Sequence, residues 1–499
     1  MQGMTLGNQR RRRALAIASA AVVAAASLGL VALLTGASTT AGASSAAKPK
    51  AKSRPNIVVI TSDDQTSEQM KSMKLTQRLI GKQGTTFNRE YDNWPLCCPS
   101  RATHLTGQYA HNHGVLGNNP PNGGYRALDS TNTLPVWLDD AGYYTALVGK
   151  YLNGYGQGDK TEVPPGWDEF HGALPKPQRV YDYELNDNGK VNHYGVRPKD
   201  YKGHVFTRKA LGAIDRGTRG KHPFFLWLTY TAPHGSGKNI QPNPSGDRCM
   251  RSSVPAPEDR NAFSKAKPPK PPSYNEKDVS DKPQKIQDLP RFTPKVKAKI
   301  RHDYRCRRAA LKHVDRGVAA VIAKLRHKGE LKNTVVMYDS DNGFFQGEHR
   351  VPKGKNRVYE EATRVPLLIR GPGFPKGQKV NTPTVNADIA PTVVKLAKAQ
   401  PKVRRVLDGR PLMGIAQKPS VAADRTLLLE QTGAYAAVET KRYQYTEHDD
   451  AGEKELYDLR KDPFQLENRA GKPAYANVQQ ALATKLAQLR DCSGASCRN

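Results

Sequence analysis

Four short apolar runs, Ile57 to Thr61, Tyr144 to Val148, Phe224 to Tyr230 and Thr334 to Tyr338, each stop at polar residues, and this recurring ending is the strongest constraint on the fold. The polar groups are Asp63-Asp64, Gly149-Lys150, Thr231-Ala232-Pro233-His234 and Asp341-Asn342-Gly343. Unbroken apolar runs of this length suit strands covered on both faces. Between them lie helix signals: Thr133-Leu134-Pro135 supplies a cap and a first-turn proline, and Gly142 a stop. Strands at Gly84 to Tyr91 and Val365 to Ile369, with a long basic helix from Arg301 to Arg326, complete an alternation typical of α/β layers. Ligands of open α/β sheets bind beyond the carboxyl ends of the strands, so remote polar clusters can converge there.

At 499 residues the chain exceeds one ordinary core, which predicts a large domain with a smaller one attached. Residues 1–43 read as an export signal, with Arg10 to Arg13 before the apolar run Ala14 to Leu34. The run is long enough that an uncleaved membrane anchor stays open, and Arg11-Arg12-Arg13 loosely suits twin-arginine export. Residues 44–55 read as a linker, 56–400 as the large domain and 401–499 as a C-terminal subdomain. Within the large domain, 236–300 is a Pro- and Lys-rich surface excursion. Short segments at Leu427 to Gln431, Tyr435 to Thr440, Tyr443 to Glu447 and Glu455 to Leu459 predict an antiparallel sheet, closed by a helix near Tyr475 to Leu489.

Lysine and arginine number 78 against 46 acidic residues, a formal charge of +32 that points to an anionic partner. The export segment carries four arginines and no acid, so the basic excess belongs to the folded protein. Six cysteines in an exported chain permit disulfides. Cys249 could pair with Cys306 and Cys492 with Cys497, leaving Cys97 and Cys98 for another use.

Cys97-Cys98-Pro99-Ser100-Arg101 sets a thiol beside a fixed charge where a helix begins, a place that favours anions. Asp63, Asp64, Asp341 and Asn342 are oxygen donors unaccompanied by His- or Cys-rich spacing, which suits a hard cation such as Ca²⁺, or Mg²⁺, better than zinc. Taken singly, each is more often a turn or cap residue than a ligand. Lys150, His234, His349, Lys353 and Lys355 are further polar candidates. A cation, an arginine and two lysines around one pocket would neutralise a sulfate or phosphate ester and the charge that develops as it breaks.

Pro95-Leu96-Cys97-Cys98-Pro99-Ser100-Arg101 through Thr106-Gly107 resembles the sulfatase signature Cys-x-Pro-Ser-Arg, and Gly142 through Leu152 resembles the second signature of that family. Asp63-Asp64-Gln65, Thr231 to His234, Ser340 to Gly343, Gly347-Glu348-His349, Tyr359-Glu360-Glu361, Arg364 to Leu367 and Asp388 to Thr392 resemble further landmarks in family order. The likeness spans roughly residues 54 to 470. Gly149 to Asn153, Pro164-Pro165-Gly166-Trp167 and the Cys-Cys form look most like the N-acetylglucosamine-6-sulfatase and heparan-sulfate 6-O-endosulfatase branch.

The resemblance implies an alkaline-phosphatase-like fold: a large mixed, mainly parallel sheet sandwiched by helices, with a smaller C-terminal antiparallel sheet and helix. It implies that a maturation enzyme oxidises Cys97 to formylglycine, whose hydrate attacks sulfate monoesters. Asp63, Asp64, the converted Cys97, Asp341 and Asn342 would hold Ca²⁺. Arg101 and Lys150 would hold sulfate oxygens, Asp341 would accept a proton, and His234 and Lys355 would protonate the leaving oxygen. Lys355 fits the family spacing to Tyr359 better than Lys353. The substrate would be a sulfated small molecule or glycan, glucosamine 6-sulfate among them, met outside the cell or at its surface.

Two positions depart from the family pattern: His104 replaces an apolar residue, and Leu152 stands where many sulfatases carry a histidine. A phosphonate or phosphate ester hydrolase of the same superfamily is the nearest rival reading. A non-catalytic binder of anionic polysaccharide is the second, drawing on clusters such as Arg301 to Arg308. Nothing in the chain resembles a base-stacking platform or a groove-reading helix, and export argues against nucleic acid.

Overall fold

Strand β1, Asn56–Ser62, is buried along its whole length, and its side chains divide by the two-residue period of a strand. Ile57 and Val59 enter one hydrophobic core, and Val58 and Ile60 the other. A strand apolar on both faces must lie between layers, which makes it the centre of the sheet. The computed structural model describes residues 54–175, 177–236 and 248–498. The export segment and most of the linker lie outside the described residues.

The large sheet has eleven strands. After β1 come β2 (Thr85–Tyr91), β3 (Tyr144–Gly149), β4 (Glu169–Ala173), β5 (Tyr183–Asp187), β6 (Lys190–Tyr194) and β7 (Phe224–Thr229). Then follow β8 (Thr334–Ser340), β9 (Arg364–Arg370), β10 (Gln378–Val380) and β11 (Thr384–Val385). Their spatial order is β10-β2-β9-β8-β1-β7-β3-β4-β5-β6, with β11 also on β2. The centre, β8-β1-β7-β3-β4, is parallel, whereas β9 runs antiparallel to both neighbours and β5 and β6 close the far edge antiparallel. This is the mixed, mainly parallel α/β sheet expected.

One face is covered by the helices Cys97–Thr106, Leu134–Asp140 and Ile389–Ala397, which add Leu105, Trp137 and Val393 to a core with Trp227 and Met337. The other is covered by Lys202–Gly217 and Pro294–His327, which add Phe206, Ile214, Leu311 and Val318. The long basic helix thus begins at Pro294, earlier than the expected Arg301, so 294–300 leave the surface excursion. Its start is built from Thr293, whose hydroxyl accepts from Val296 N at 3.3 Å, and a first-turn proline.

Strands β12 (Leu427–Gln431), β13 (Tyr435–Glu439), β14 (Tyr443–His448) and β15 (Lys454–Asp458) form a separate antiparallel meander, on which the helix Ala476–Arg490 packs Leu486 and Leu489. This small sheet reaches the segment before Cys97: Glu430 N donates to Asn93 O at 2.8 Å. Disulfides join Cys249 to Cys306 and Cys492 to Cys497, and Cys97 and Cys98 are buried free thiols.

Candidate active site

The register sets the site. Ser62 lies opposite Ser340, and Thr229 lies opposite both Thr61 and Gly149, so β1, β8, β7 and β3 finish together. Asp63 and Asp64, Asp341 and Asn342, His234, and Lys150 therefore leave the sheet at one edge. Gly149 permits the closest approach there: with φ at 127°, a Cβ would fall 1.9 Å from Thr229 O. Lys150 N donates to that carbonyl at 3.1 Å, and Lys150 O accepts from Thr229 Oγ1 at 2.6 Å and from Arg101 Nη1 at 2.7 Å.

The helix Cys97–Thr106 brings the thiol to the same edge with all ten residues buried. Its first turn is capped from outside, since Cys98 N donates to Asn118 Oδ1 at 2.9 Å. The Cys97 thiol lies 3.5 Å from Asp63 Oδ1, and Lys355 Nζ donates to Cys97 Sγ at 2.9 Å. Lys355 also donates to Asp64 Oδ1 and, at 3.2 Å, to Asn342 Oδ1. Asn342 Nδ2 reaches Asp64 Oδ1 at 2.7 Å, and Asp64 N donates to Asp341 Oδ1 at 3.1 Å. On the other side Lys150 Nζ donates to Asp63 Oδ2 at 2.7 Å, and Arg101 Nε to Asp341 Oδ2 at 2.8 Å. Arg101 Nη2 faces Asp63 at 3.6 Å and is a buried donor without a hydrogen bond. His234 Nε2 stands 3.7 Å from Asp64 Oδ2, its Nδ1 held by Gly235 O at 2.6 Å.

Charge follows from this packing. Burial works against the ionised form of Asp63, yet Lys150, His234 and Arg101 hold its carboxyl well below the usual range. Burial and the Asp63 charge instead push Asp341 up, although Arg101 and the two lysines pull the other way. Burial and Asp63 also push the Cys97 thiol up to about 11, against Lys150 and Lys355. Unconverted, that sulfur stays protonated at neutral pH and is a poor nucleophile. Asp63, Asp64, Cys97 and His234 offer donor atoms all within 4.8 Å of one another, and Asp341 and Asn342 adjoin them. Three carboxylates and an amide make an oxygen-rich set that fits a hard cation.

Other expected residues lie elsewhere. His349 bonds Glu276 Oε2 at 2.7 Å and stacks on Tyr359, and Lys353 is exposed. His104 replaces an apolar residue because it is fully paired, with Nε2 on Asp339 Oδ2 at 2.7 Å and Nδ1 on Ser100 O at 2.8 Å. Leu152 is buried in the core. Sequence reasoning missed Asn118, Thr229 and Arg307. Arg307 sat inside the run Arg301 to Arg308, where helical period alone singles out the residue that turns inward.

A family model described as Sulfatase matches residues 55–399, and one described as N-sulphoglucosamine sulphohydrolase, C-terminal, matches 347–492. The N-acetylglucosamine-6-sulfatase of Capra hircus is 31% identical over 501 residues, covering 90% of this chain and 86% of its own length. A Sulf-1 homolog of Caenorhabditis elegans, described as a putative extracellular sulfatase, is 36% identical over 368 residues, 72% of this chain, and the chain spans only 49% of that relative's length. Among solved structures, one in complex with its substrate D-glucosamine-2-N,6-O-disulfate superposes with a TM-score of 0.72 at 23% identity, covering 87% of this chain and 97% of that one. The phosphonate monoester hydrolase of Agrobacterium radiobacter shares the fold with a TM-score of 0.65 at 20% identity, covering 88% and 95%. With two signature segments folded into one buried cluster of charge and a family match over most of its length, the chain belongs to the sulfatase family of sulfuric ester hydrolases.

Proposed function

We propose that the protein hydrolyses sulfate monoesters of a carbohydrate, glucosamine 6-sulfate in the first instance, at a formylglycine made from Cys97. The observation that carries this reading is the place of Cys97 Sγ, between Asp63 Oδ1 at 3.5 Å and Lys355 Nζ at 2.9 Å. Its high thiol pKa disfavours thiolate catalysis and suits a side chain that acts after conversion.

Asp63, Asp64, Asp341 and Asn342 would hold Ca²⁺, with position 97 beside them; Mg²⁺, with its stricter octahedral demand, suits this set less well. Bound there, the ion would polarise the sulfate and ease loss of a proton from the aldehyde hydrate that supplies the nucleophile. Lys150 and Arg101 present buried cationic donors to the sulfate oxygens and to position 97, in surroundings where such contacts are strong. Asp341, whose other oxygen is held by Arg101 Nε at 2.8 Å, accepts a proton from the attacking hydroxyl. His234 and Lys355 deliver a proton to the sugar oxygen as the bond between sulfur and that oxygen breaks.

Two disulfides, an expected export signal and descriptions of relatives as extracellular support action outside the cytoplasm. Among the described residues no helix is long and apolar enough to cross a membrane. Mass spectrometry of the tryptic peptide holding Cys97, with hydrazide capture of the aldehyde, tests the conversion; an unmodified thiol in active enzyme would overturn it. Matched aryl sulfates and phosphates test the ester class, and a large phosphate preference would favour the phosphorus reading.

A further inference from the structure

Helix Pro294–His327 carries the run Arg305-Cys306-Arg307-Arg308, and its period sends these residues to different surroundings. Arg305 Nε donates to Ala266 O at 2.7 Å and Arg308 Nε to Ser72 Oγ at 2.7 Å, whereas Arg307 is only 3% exposed. A buried guanidinium ordinarily faces a carboxylate. Arg307 instead directs its donors at backbone and amide oxygens: Asp64 O, Pro233 O at 3.2 Å and Gln69 Oε1 at 3.4 Å. Its flat face covers the ring of Phe344, 4.2 Å from the centroid. These contacts touch the turn after β1, the loop after β7 and the loop after β8.

We propose that Arg307 is a positioning residue for the ester cleavage set out above, on which this inference rests: its fork ties the turn bearing Asp64 to the loop bearing His234, and so sets the distance between ester and proton donor. Both tethered pieces need outside support. Asp64 is a non-glycine residue at a φ of 68°, a conformation that persists where its surroundings hold it. Among the described residues the His234 ring has one close hydrogen bond, to its neighbour Gly235 O, so its place depends on its loop. The same helix steadies that loop a second time. Cys306, next to Arg307, is bridged to Cys249, and in the segment that follows Cys249, Ser252 O accepts from Ser236 N at 2.9 Å, two residues beyond His234. Lysine cannot replace the fork, since one ammonium on a flexible stem lacks the planar geometry that spans two carbonyls.

The test compares R307K and R307M with wild type on 4-nitrophenyl sulfate, whose leaving oxygen needs little protonation, and on glucosamine 6-sulfate, whose leaving oxygen needs much. If Arg307 positions the acid, kcat/KM falls on the order of a hundredfold on the sugar ester but about tenfold or less on the aryl ester. In an H234A background the extra loss on the sugar ester should vanish. Equal losses on both esters, additive losses with H234A, or wild-type rates in both variants overturn the proposal. R307K keeps the buried charge, and circular dichroism at the assay temperature checks folding; if neither variant folds, the role is structural and the proposal fails. The two readings fail separately: wild type carrying the aldehyde but cleaving neither sulfate refutes the function, whereas active wild type with equal losses refutes only Arg307.

Discussion

Replacing Lys150 by methionine tests whether the site is a balanced buried charge array. Lys150 and Asp63 have side chains 1% exposed and meet at 2.7 Å, so neither charge has water to fall back on. Removing one partner of such a pair costs up to about 3–5 kcal/mol, because Asp63 is then left buried with only the longer 3.6 Å ion-pair contact to Arg101 Nη2 among the described residues. With about 2.1 cal/mol/K per residue of unfolding entropy and roughly 450 folded residues, that loss lowers Tm by about 3–5 °C. Thermal and urea denaturation of wild type, K150M, D63N and K150M/D63N in chelator would show both single losses and a coupling of about 2 kcal/mol or more. The pH dependence has a definite sign. The folded-state pKa of Asp63 lies below its unfolded value, so its contribution is complete above about pH 4 and fades as pH falls below that. K150M should therefore lose its disadvantage in acid. Single effects under about 1 kcal/mol, or additivity within about 0.5 kcal/mol, would refute the view that this pair is buried and coupled.

Calcium at a hundred times its Kd should stabilise the protein by about 2.7 kcal/mol over the chelated form, and D64N should abolish that shift; an unchanged Tm would count against the ion. His111 is held by Glu430 at 2.9 Å and by Cys492 O at 2.8 Å; burial works against its charge, yet Glu430 raises it to about 9. Its contribution, about 1–2 kcal/mol after allowing for partial exposure, is complete below about pH 6.5 and lost through pH 9, so H111Q and wild type should converge in Tm by about pH 10. H104L restores the apolar residue common in the family but strands Asp339; it should cost about 3 kcal/mol in urea denaturation, and H104L/D339V should recover much of it. Ile60, fully buried at the heart of β1, should cost about 2–5 kcal/mol on change to alanine, read from the urea midpoint.

The parallel centre was legible because its strands are covered on both faces and their ends are marked by acids, lysine or histidine. Asp63 and Asp341 stand far apart in the chain, yet each follows an apolar run, and that rule places them together. The edge strands were not legible: β5 and β6 carry Glu184 and Asn192, half-buried, Lys190, exposed, and Asn186, buried but bonded to Tyr155 Oη, and show little apolar pattern. Helix Lys202–Gly217 was hidden by its many charges, and the start at Thr293-Pro294 by the proline-rich text before it; at Thr133 to Pro135 the helix start and first-turn proline are as expected, but the Thr133 hydroxyl donates to Ser130 O instead of capping. Within the site, charged groups announced themselves, but their supports did not. Asn118 acts through one amide, Thr229 through carbonyl contacts and Arg307 through backbone oxygens, and such contacts leave no spacing in the text.

The bond from Glu430 to Asn93 has a practical outcome for anyone trimming or recombining this chain. Asn93 O is met by the meander, while its side-chain oxygen accepts from Thr103 Oγ1 at 3.2 Å inside the helix that starts at Cys97. A fragment ending near residue 400 would leave that helix without one of its outer props, so the last hundred residues cannot be discarded as an accessory tail. Chimeras between relatives should inherit both partners from one parent.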